Sequence, residues 1–116
     1  MPHPFAFLAA HSYIDLTTFR KSGAAVHTPV WFAPISGNLC VMTRSDSGKL
    51  KRIRNNPRVE IAPCTMRGRR TGPAVAALAA LAPDQAAARA ALRRKYWMAR
   101  LPIWSKSNLY LELRPG

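Results

Sequence analysis

The chain has 116 residues, the length of one domain with a modest core, so a second copy would help to bury its apolar surface. Eighteen Lys and Arg residues against five Asp and Glu give a formal charge of +13, which attracts polyanions: nucleic acid, anionic lipid, or a phosphorylated, carboxylate-rich cofactor. No apolar run is long enough to cross a bilayer and residues 1–4 do not open a secretory signal, so we expect a cytoplasmic protein without membrane partners.

Alternating side chains predict three strands, separated by turns, in the first half of the chain. The first covers residues 13–21, with Ile14, Leu16 and Thr18 on one face. A turn at 22–24 leads to a second strand over 25–33, where Pro29 indicates an edge or a bulge because proline cannot donate to a ladder. A hairpin turn at 36–38 precedes the third strand, residues 38–43.

The second half of the chain is predicted to contain two helices and three strands. A short basic helix over 47–55 buries Leu50 and Ile53 and ends before Pro57. Strands over 58–64 and 74–82 flank a basic loop at 66–72, a second helix runs from Asp84 to about Arg100, and the last strand covers 109–114. We therefore expect a single domain, residues 1–116, that is mainly β with about six antiparallel strands in a small barrel or sandwich.

The segment after the third strand carries the strongest functional signal. Backbone amides at a helix N-terminus attract anions, and Lys49, Lys51 and Arg52 within the first turns reinforce them. Gly48 lets the backbone come close to a bound group. The segment is therefore predicted to bind a phosphate, and the alternative is a solvated helix face.

Residues for catalysis by side chains are scarce. The three histidines are far from any cysteine, and Glu60 and Glu112 lie on separate strands, so we assign no catalytic residue. Cys40 and Cys64 lack metal-ligand spacing, and we expect reduced thiols and no metal site. An anion site without acids, bases or metals suits a cofactor that supplies its own chemistry. Residues 28–31 would then form one wall of a flat ring site, although Trp31 could equally fill the core.

Four ordered motifs resemble the pyridoxamine 5'-phosphate oxidase-like, FMN-binding split-barrel family: residues 17–23 (TTFRKSG), 27–33 (HTPVWFA), 46–59 (DSGKLKRIRNNPRV) and 62–64 (APC). The match covers about residues 10 to 73, with residues 93–96 also typical near the end. It is most similar to the actinobacterial branch that uses coenzyme F420, a deazaflavin.

The resemblance implies a six-stranded split β-barrel that forms a homodimer with two cofactor sites at the interface. It implies that the flat ring of the cofactor lies against Thr28, Pro29, Val30 and Trp31. The phosphate would be contacted by Lys49, with Ser47, Gly48, Lys51 and Arg52 beside it. The tail or the ring edge of the cofactor would lie along Thr43 and Pro63. From charge alone, Arg67, Arg69 and Arg70 could steer the acidic tail of F420. The sequence departs from the family between residues 74 and 81, where Ala74, Val75, Ala76 and Ala77 stand near the place of an expected aromatic residue and an acid.

The expected activity is hydride transfer from reduced F420, or alternatively FMN, to a small organic acceptor. The same motifs fit a carrier that binds the cofactor without turnover. A nucleic-acid-binding module is disfavoured, because the basic segment 49–54 contains no aromatic residue on which bases could stack.

Overall fold

An antiparallel sheet forms the body of the molecule in the computed structural model, which describes residues 5–8, 11–45, 47–96 and 108–116. After a short 3-10 helix (Ala6–Leu8), the elements in chain order are β1 (Tyr13–Phe19), β2 (Ala25–Val30), β3 (Phe32–Ile35), β4 (Asn38–Arg44), α1 (Gly48–Asn55), β5 (Arg58–Cys64), β6 (Val75–Leu81), α2 (Gln85–Lys95) and β7 (Asn108–Pro115). Within these residues, no helix has the length and apolar character needed to cross a membrane.

The strand order makes the sheet a split barrel. The seven strands lie in the order β2-β1-β5-β6-β7-β4-β3, and every neighbouring pair is antiparallel. The two edge strands, β2 and β3, are consecutive in the chain and are separated only by Trp31. The sheet must therefore curl into a barrel so that its two edges approach each other at this residue. The described strands β2 and β3 do not pair, so the barrel is left open, or split, between them.

The predicted fold class is confirmed, with one correction to the strand count. The single strand expected over 25–33 is divided into β2 and β3, so the sheet has seven strands rather than six. β2 pairs with β1 and β3 pairs with β4, and the chain turns the corner between them at Trp31. The edge position expected from Pro29 is also found, because among the described strands β2 has a partner on one side only.

Two apolar clusters fill the structure. The larger lies inside the barrel, and Leu50 and Ile53 of α1 belong to it, so this helix covers one end of the barrel. The smaller lies on the outer side of the sheet under α2 and includes Cys40, Leu92 and Tyr110. Removing these side chains from water supplies the main stabilisation, at about 25 cal/mol per Å² of apolar surface.

The alanine-rich segment forms a central strand, β6, as predicted. Ala77 and Ala79 face the barrel interior and are buried, and the ladders to β5 and β7 hold the strand in place despite the helical preference of alanine. α2 begins after Asp84, whose carboxylate accepts the amide proton of Ala87, and is described as far as Lys95. Tyr96 is the C-cap, so α2 ends at Lys95 rather than near Arg100 as expected; residues 97–100 lie outside the described residues.

Candidate functional site

The β4–α1 junction is held by two hydroxyl groups. Ser47 is the N-cap of α1, and its Oγ accepts the amide proton of Leu50 at 3.2 Å. The same oxygen lies 2.7 Å from Oγ1 of Thr43, which is buried at the end of β4. The sequence-predicted residues Thr43, Ser47 and Gly48 therefore come together at one helix N-terminus.

Arg52 extends back across the first turn of α1. Its Nε donates to Oγ1 of buried Thr18 on β1 at 2.7 Å. Its Nη1 lies so close to Gly48 that a Cβ added there would be only 2.9 Å away. Glycine at this position is therefore explained by the space that the guanidinium occupies, rather than by backbone conformation, since Gly48 is not among the glycines with positive φ.

Arg20, Lys49 and Arg52 form what we call the cation cluster. Partial burial, followed by the charge of Arg52, lowers the pKa of Lys49. Burial and the charge of Arg20 lower the pKa of Arg52 in the same way. The first turn of α1 contains no acidic residue, and no described carboxylate forms an ion pair with the cluster.

This arrangement is electrostatically unfavourable without an anion. The positive end of the helix dipole favours negative groups, yet here it faces two cations. A bound phosphate would accept the charge-assisted hydrogen bonds that these groups and the helix amides can donate. The residues present thus fit a phosphorylated ligand. Lys51, also predicted here, is exposed, and none of the ion pairs found among the described residues involves it.

The four predicted ring-wall residues do not share a face. Thr28 and Val30 point to the barrel interior beside Leu16 and Ile14, whereas Pro29 points outward and pairs with Asp15. Pro63 also pairs with Ile14, on its other side. Their shared partner, Ile14, is four residues along β1 from Thr18, the residue that Arg52 contacts. Val30 and Pro63 therefore lie about 13 Å along the strand from that contact, at roughly 3.3 Å per residue.

Trp31, at the corner between β2 and β3, stacks on Tyr96. Their ring centroids are 4.5 Å apart with an interplanar angle of 8°. The Tyr96 hydroxyl accepts the amide proton of Phe32 at 3.2 Å and lies within donating distance of the carbonyls of Ser12 (2.6 Å) and Phe32 (3.0 Å). Burial is the main reason that the pKa of Tyr96 is raised to about 12. Tyr96 thus anchors the end of α2 to the strand break, a role that the sequence did not reveal.

A second group of polar side chains, on the outer face of β1 and β2, was also missed. Asp15 has only 3% of its side chain exposed. Its Oδ2 accepts hydrogen bonds from Nε of Arg70 at 2.7 Å and from Nδ1 of His27 at 3.0 Å. Nη2 of Arg70 also donates to Thr17 Oγ1 at 2.9 Å. The alternation that places Asp15 and Thr17 on one face was the available signal, but it could not identify Arg70 as their partner.

This contact limits the tail-steering role expected for the 66–72 loop. Arg70 is engaged by Asp15 and lies 3.9 Å from Glu60, whereas Arg67 and Arg69 are exposed. Gly68 has a φ of 88°, and a Cβ added there would lie 3.7 Å from the ring of Pro29, so the loop backbone passes close to this ring. The loop therefore covers the outer face of β2, and only Arg67 and Arg69 are free to meet an acidic ligand.

Comparisons with known proteins agree with this architecture. A family model described as pyridoxamine 5'-phosphate oxidase matches residues 3–115, while no curated protein matches the sequence. A Listeria innocua protein provisionally designated a pyridoxamine 5'-phosphate oxidase has a TM-score of 0.76 at 17% identity, over 97% of this chain and 90% of its own. An F420 reductase has a TM-score of 0.69 at 19% identity, over 100% and 96% of the two chains.

A heme-binding protein of Mycobacterium smegmatis also shares the fold, with a TM-score of 0.73 at 18% identity over 93% of this chain. This chain covers 48% of the length of that protein, about half of it. Identities this low show a shared fold alone. The family model, in contrast, covers nearly the whole sequence. The chain belongs to the pyridoxamine 5'-phosphate oxidase family.

Proposed function

We propose that this protein binds a phosphorylated flavin-type coenzyme at the N-terminus of α1 and uses it to transfer a hydride to a small organic acceptor. The observation that carries the proposal is the cation cluster: Lys49 and Arg52 lie together at the positive end of a helix without a described counter-charge. Family membership supports the flavin-type coenzyme.

The chain's own residues would bind and orient the coenzyme. Lys49, Arg52 and the amides that follow Ser47 would hold the phosphate, and Trp31, at the corner between β2 and β3, would face the ring. The bound coenzyme supplies the hydride. Holding coenzyme and acceptor in one orientation reduces the entropic barrier to their reaction, so no dedicated acid or base is required.

Coenzyme F420 is our first candidate, and FMN is the alternative. The high positive charge suits the acidic tail of F420, and the F420 reductase that shares this fold over the whole chain gives the idea further support. We also propose a cytoplasmic homodimer, since a chain of 116 residues gains buried apolar surface by pairing.

A binding titration with a charge-matched control tests the proposal. Purified protein is titrated with F420, FMN and FAD while its tryptophan fluorescence is followed. Lys49→Ala is expected to lose about 1.5–3 kcal/mol of binding free energy, at least tenfold in Kd. Arg54→Ala removes an exposed charge from the same helix and should change Kd less than twofold. Failure of all three coenzymes to bind would remove the proposal.

The second candidate is a carrier that binds its ligand without turnover. Two structures with this fold support it: the heme-binding protein of Mycobacterium smegmatis and a heme storage protein of Vibrio cholerae, which has a TM-score of 0.71 at 13% identity over 95% of this chain and 85% of its own. The two candidates differ in turnover. Reduced coenzyme that binds but is not oxidised by any of a panel of quinones, enones and tetrapyrroles would favour the carrier.

A further inference from the structure

A pocket of about 520 Å³ opens beside the edge strand β3, away from the cation cluster. It lies between the 3-10 helix, the β3–β4 hairpin and the last turns of α2, and its apolar walls include Phe5, Phe32, Pro34, Leu39 and Ala91. Its volume is within the range of small-molecule sites, about 300–1,000 Å³. We call it the β3-edge pocket.

Two cations give this apolar pocket a polar end. Lys95 lines it, with Nζ 3.4 Å from the centroid of the Phe32 ring and donating to the carbonyl of His11 at 3.0 Å. Arg94 lines the pocket next to it. No described carboxylate forms an ion pair with either residue. An ammonium has three N–H donors, so Lys95 can still donate to a ligand.

The charge of Lys95 is only partly compensated by its carbonyl and aromatic contacts. Burial lowers the pKa of this side chain to about 8, and only the Cys40 thiolate would oppose that shift. The contact with the Phe32 ring supplies part of the stabilisation that water would give, but an anion would supply more. The complementary occupant is therefore apolar over most of its surface and negatively charged at one end.

We propose that the β3-edge pocket binds a hydrophobic monocarboxylic acid, with its apolar body against Phe32, Leu39 and Ala91 and its carboxylate on Lys95 and Arg94. The site is separate from the proposed coenzyme site. Leu39 is four residues along β4 from Thr43, about 13 Å at roughly 3.3 Å per residue. The inference does not depend on the proposed function, and either can fail alone.

Calorimetric titration of the full chain with decanoate and decanol tests the charge requirement. Decanoate is expected to bind at least tenfold more tightly than decanol, a difference of about 1.4 kcal/mol. Lys95→Met should remove that preference, whereas Arg93→Met, an exposed cation on the same helix that does not line the pocket, should leave it unchanged. Absence of decanoate binding, or equal affinity for decanol, would overturn the proposal.

A second variant covers the possibility that Lys95→Met does not fold. Ala91→Phe places a ring in the pocket without changing its charge, and should reduce decanoate binding at least tenfold. Binding of FMN or F420 at the cation cluster should be unaffected by this variant. Unchanged decanoate affinity in Ala91→Phe would show that the acid binds elsewhere and would contradict the assignment.

The affinity should also fall with pH. As Lys95 loses its proton near pH 8, decanoate loses its ammonium partner and is left with Arg94 as the second pocket cation. The neighbouring Cys40 thiol and Tyr96 hydroxyl, with pKa values raised to about 11 and 12, stay neutral over this range, and His11 contributes its carbonyl. An affinity independent of pH from 7 to 9 would count against the role of Lys95.

Discussion

Replacing Gly48 with alanine separates the position of the Arg52 guanidinium from its charge. A Cβ at Gly48 would lie 2.9 Å from Nη1 and 3.9 Å from Cζ of Arg52, so the guanidinium must move away from the helix N-terminus. The charge of the cluster is unchanged. If the cation cluster binds phosphate through this geometry, coenzyme Kd should rise about tenfold, or 1.4 kcal/mol.

The effect on stability is the balance of two opposing contributions. Alanine in place of glycine gains about 0.5–1 kcal/mol in the middle of a helix, and at most that much at Gly48, the first residue of α1. Moving Arg52 away from Thr18 Oγ1 breaks a 2.7 Å charged hydrogen bond, which contributes about 1.5–3 kcal/mol, and the partial exposure of Arg52 places it at the lower end. We therefore expect a net loss of about 0.5–1.5 kcal/mol in the free energy of unfolding.

Urea denaturation and coenzyme titration, run on the same preparations, measure both quantities. In an Arg52→Ala background, Gly48→Ala should cause no further loss of affinity, because the two changes act through the same side chain. A Gly48→Ala protein that loses stability as expected but binds coenzyme with wild-type affinity would refute the reasoning.

Three further predictions concern the rest of the described structure. Tyr96→Phe removes the hydroxyl that bonds to the backbone of Phe32 and should cost about 1–3 kcal/mol in urea denaturation; a loss under about 0.5 kcal/mol would contradict its anchoring role. Asp15→Asn weakens the charged contact with Arg70 and should cost about 1.5–3 kcal/mol, whereas a neutral result would show that the pair adds nothing to stability. The pKa of Lys95 falls from 10.5 in the unfolded chain to about 8 when folded, so the unfolded state binds more protons between these values and Lys95 makes stability rise with pH there. Between pH 8 and 9, the slope of unfolding free energy against pH should thus be more positive for the wild type than for Lys95→Met, and equal slopes would show that Lys95 is not desolvated.

Local patterns in the sequence predicted most of the sheet. The alternation of Leu109, Leu111 and Leu113 places one face of β7 in the core, and turn residues such as Gly37, with φ of 81°, mark where the strands end. The basic helix was also predictable, since a serine N-cap and two apolar residues three apart are local signals.

Contacts between distant residues explain what the sequence could not reveal. Residues 25–33 alternate as one strand, and the break at Trp31 is stabilised by Tyr96, which lies 65 residues further along the chain. The partnership of Arg70 with Asp15 likewise depends on how the 66–72 loop folds over β1. The pocket beside β3 requires α2 to pack near Phe32, which no pattern within either segment indicates.

The amide chemical shifts of the labelled protein, followed during addition of F420 or FMN, test the central claim most directly. We predict that the largest changes occur at Gly48, Lys49 and Leu50, with smaller ones at Thr28, and that Lys49→Ala strongly reduces them at the same subsaturating coenzyme concentration. Coenzyme binding whose largest changes fall on Phe32, Leu39 and Ala91, with the α1 N-terminus unchanged, would contradict the account.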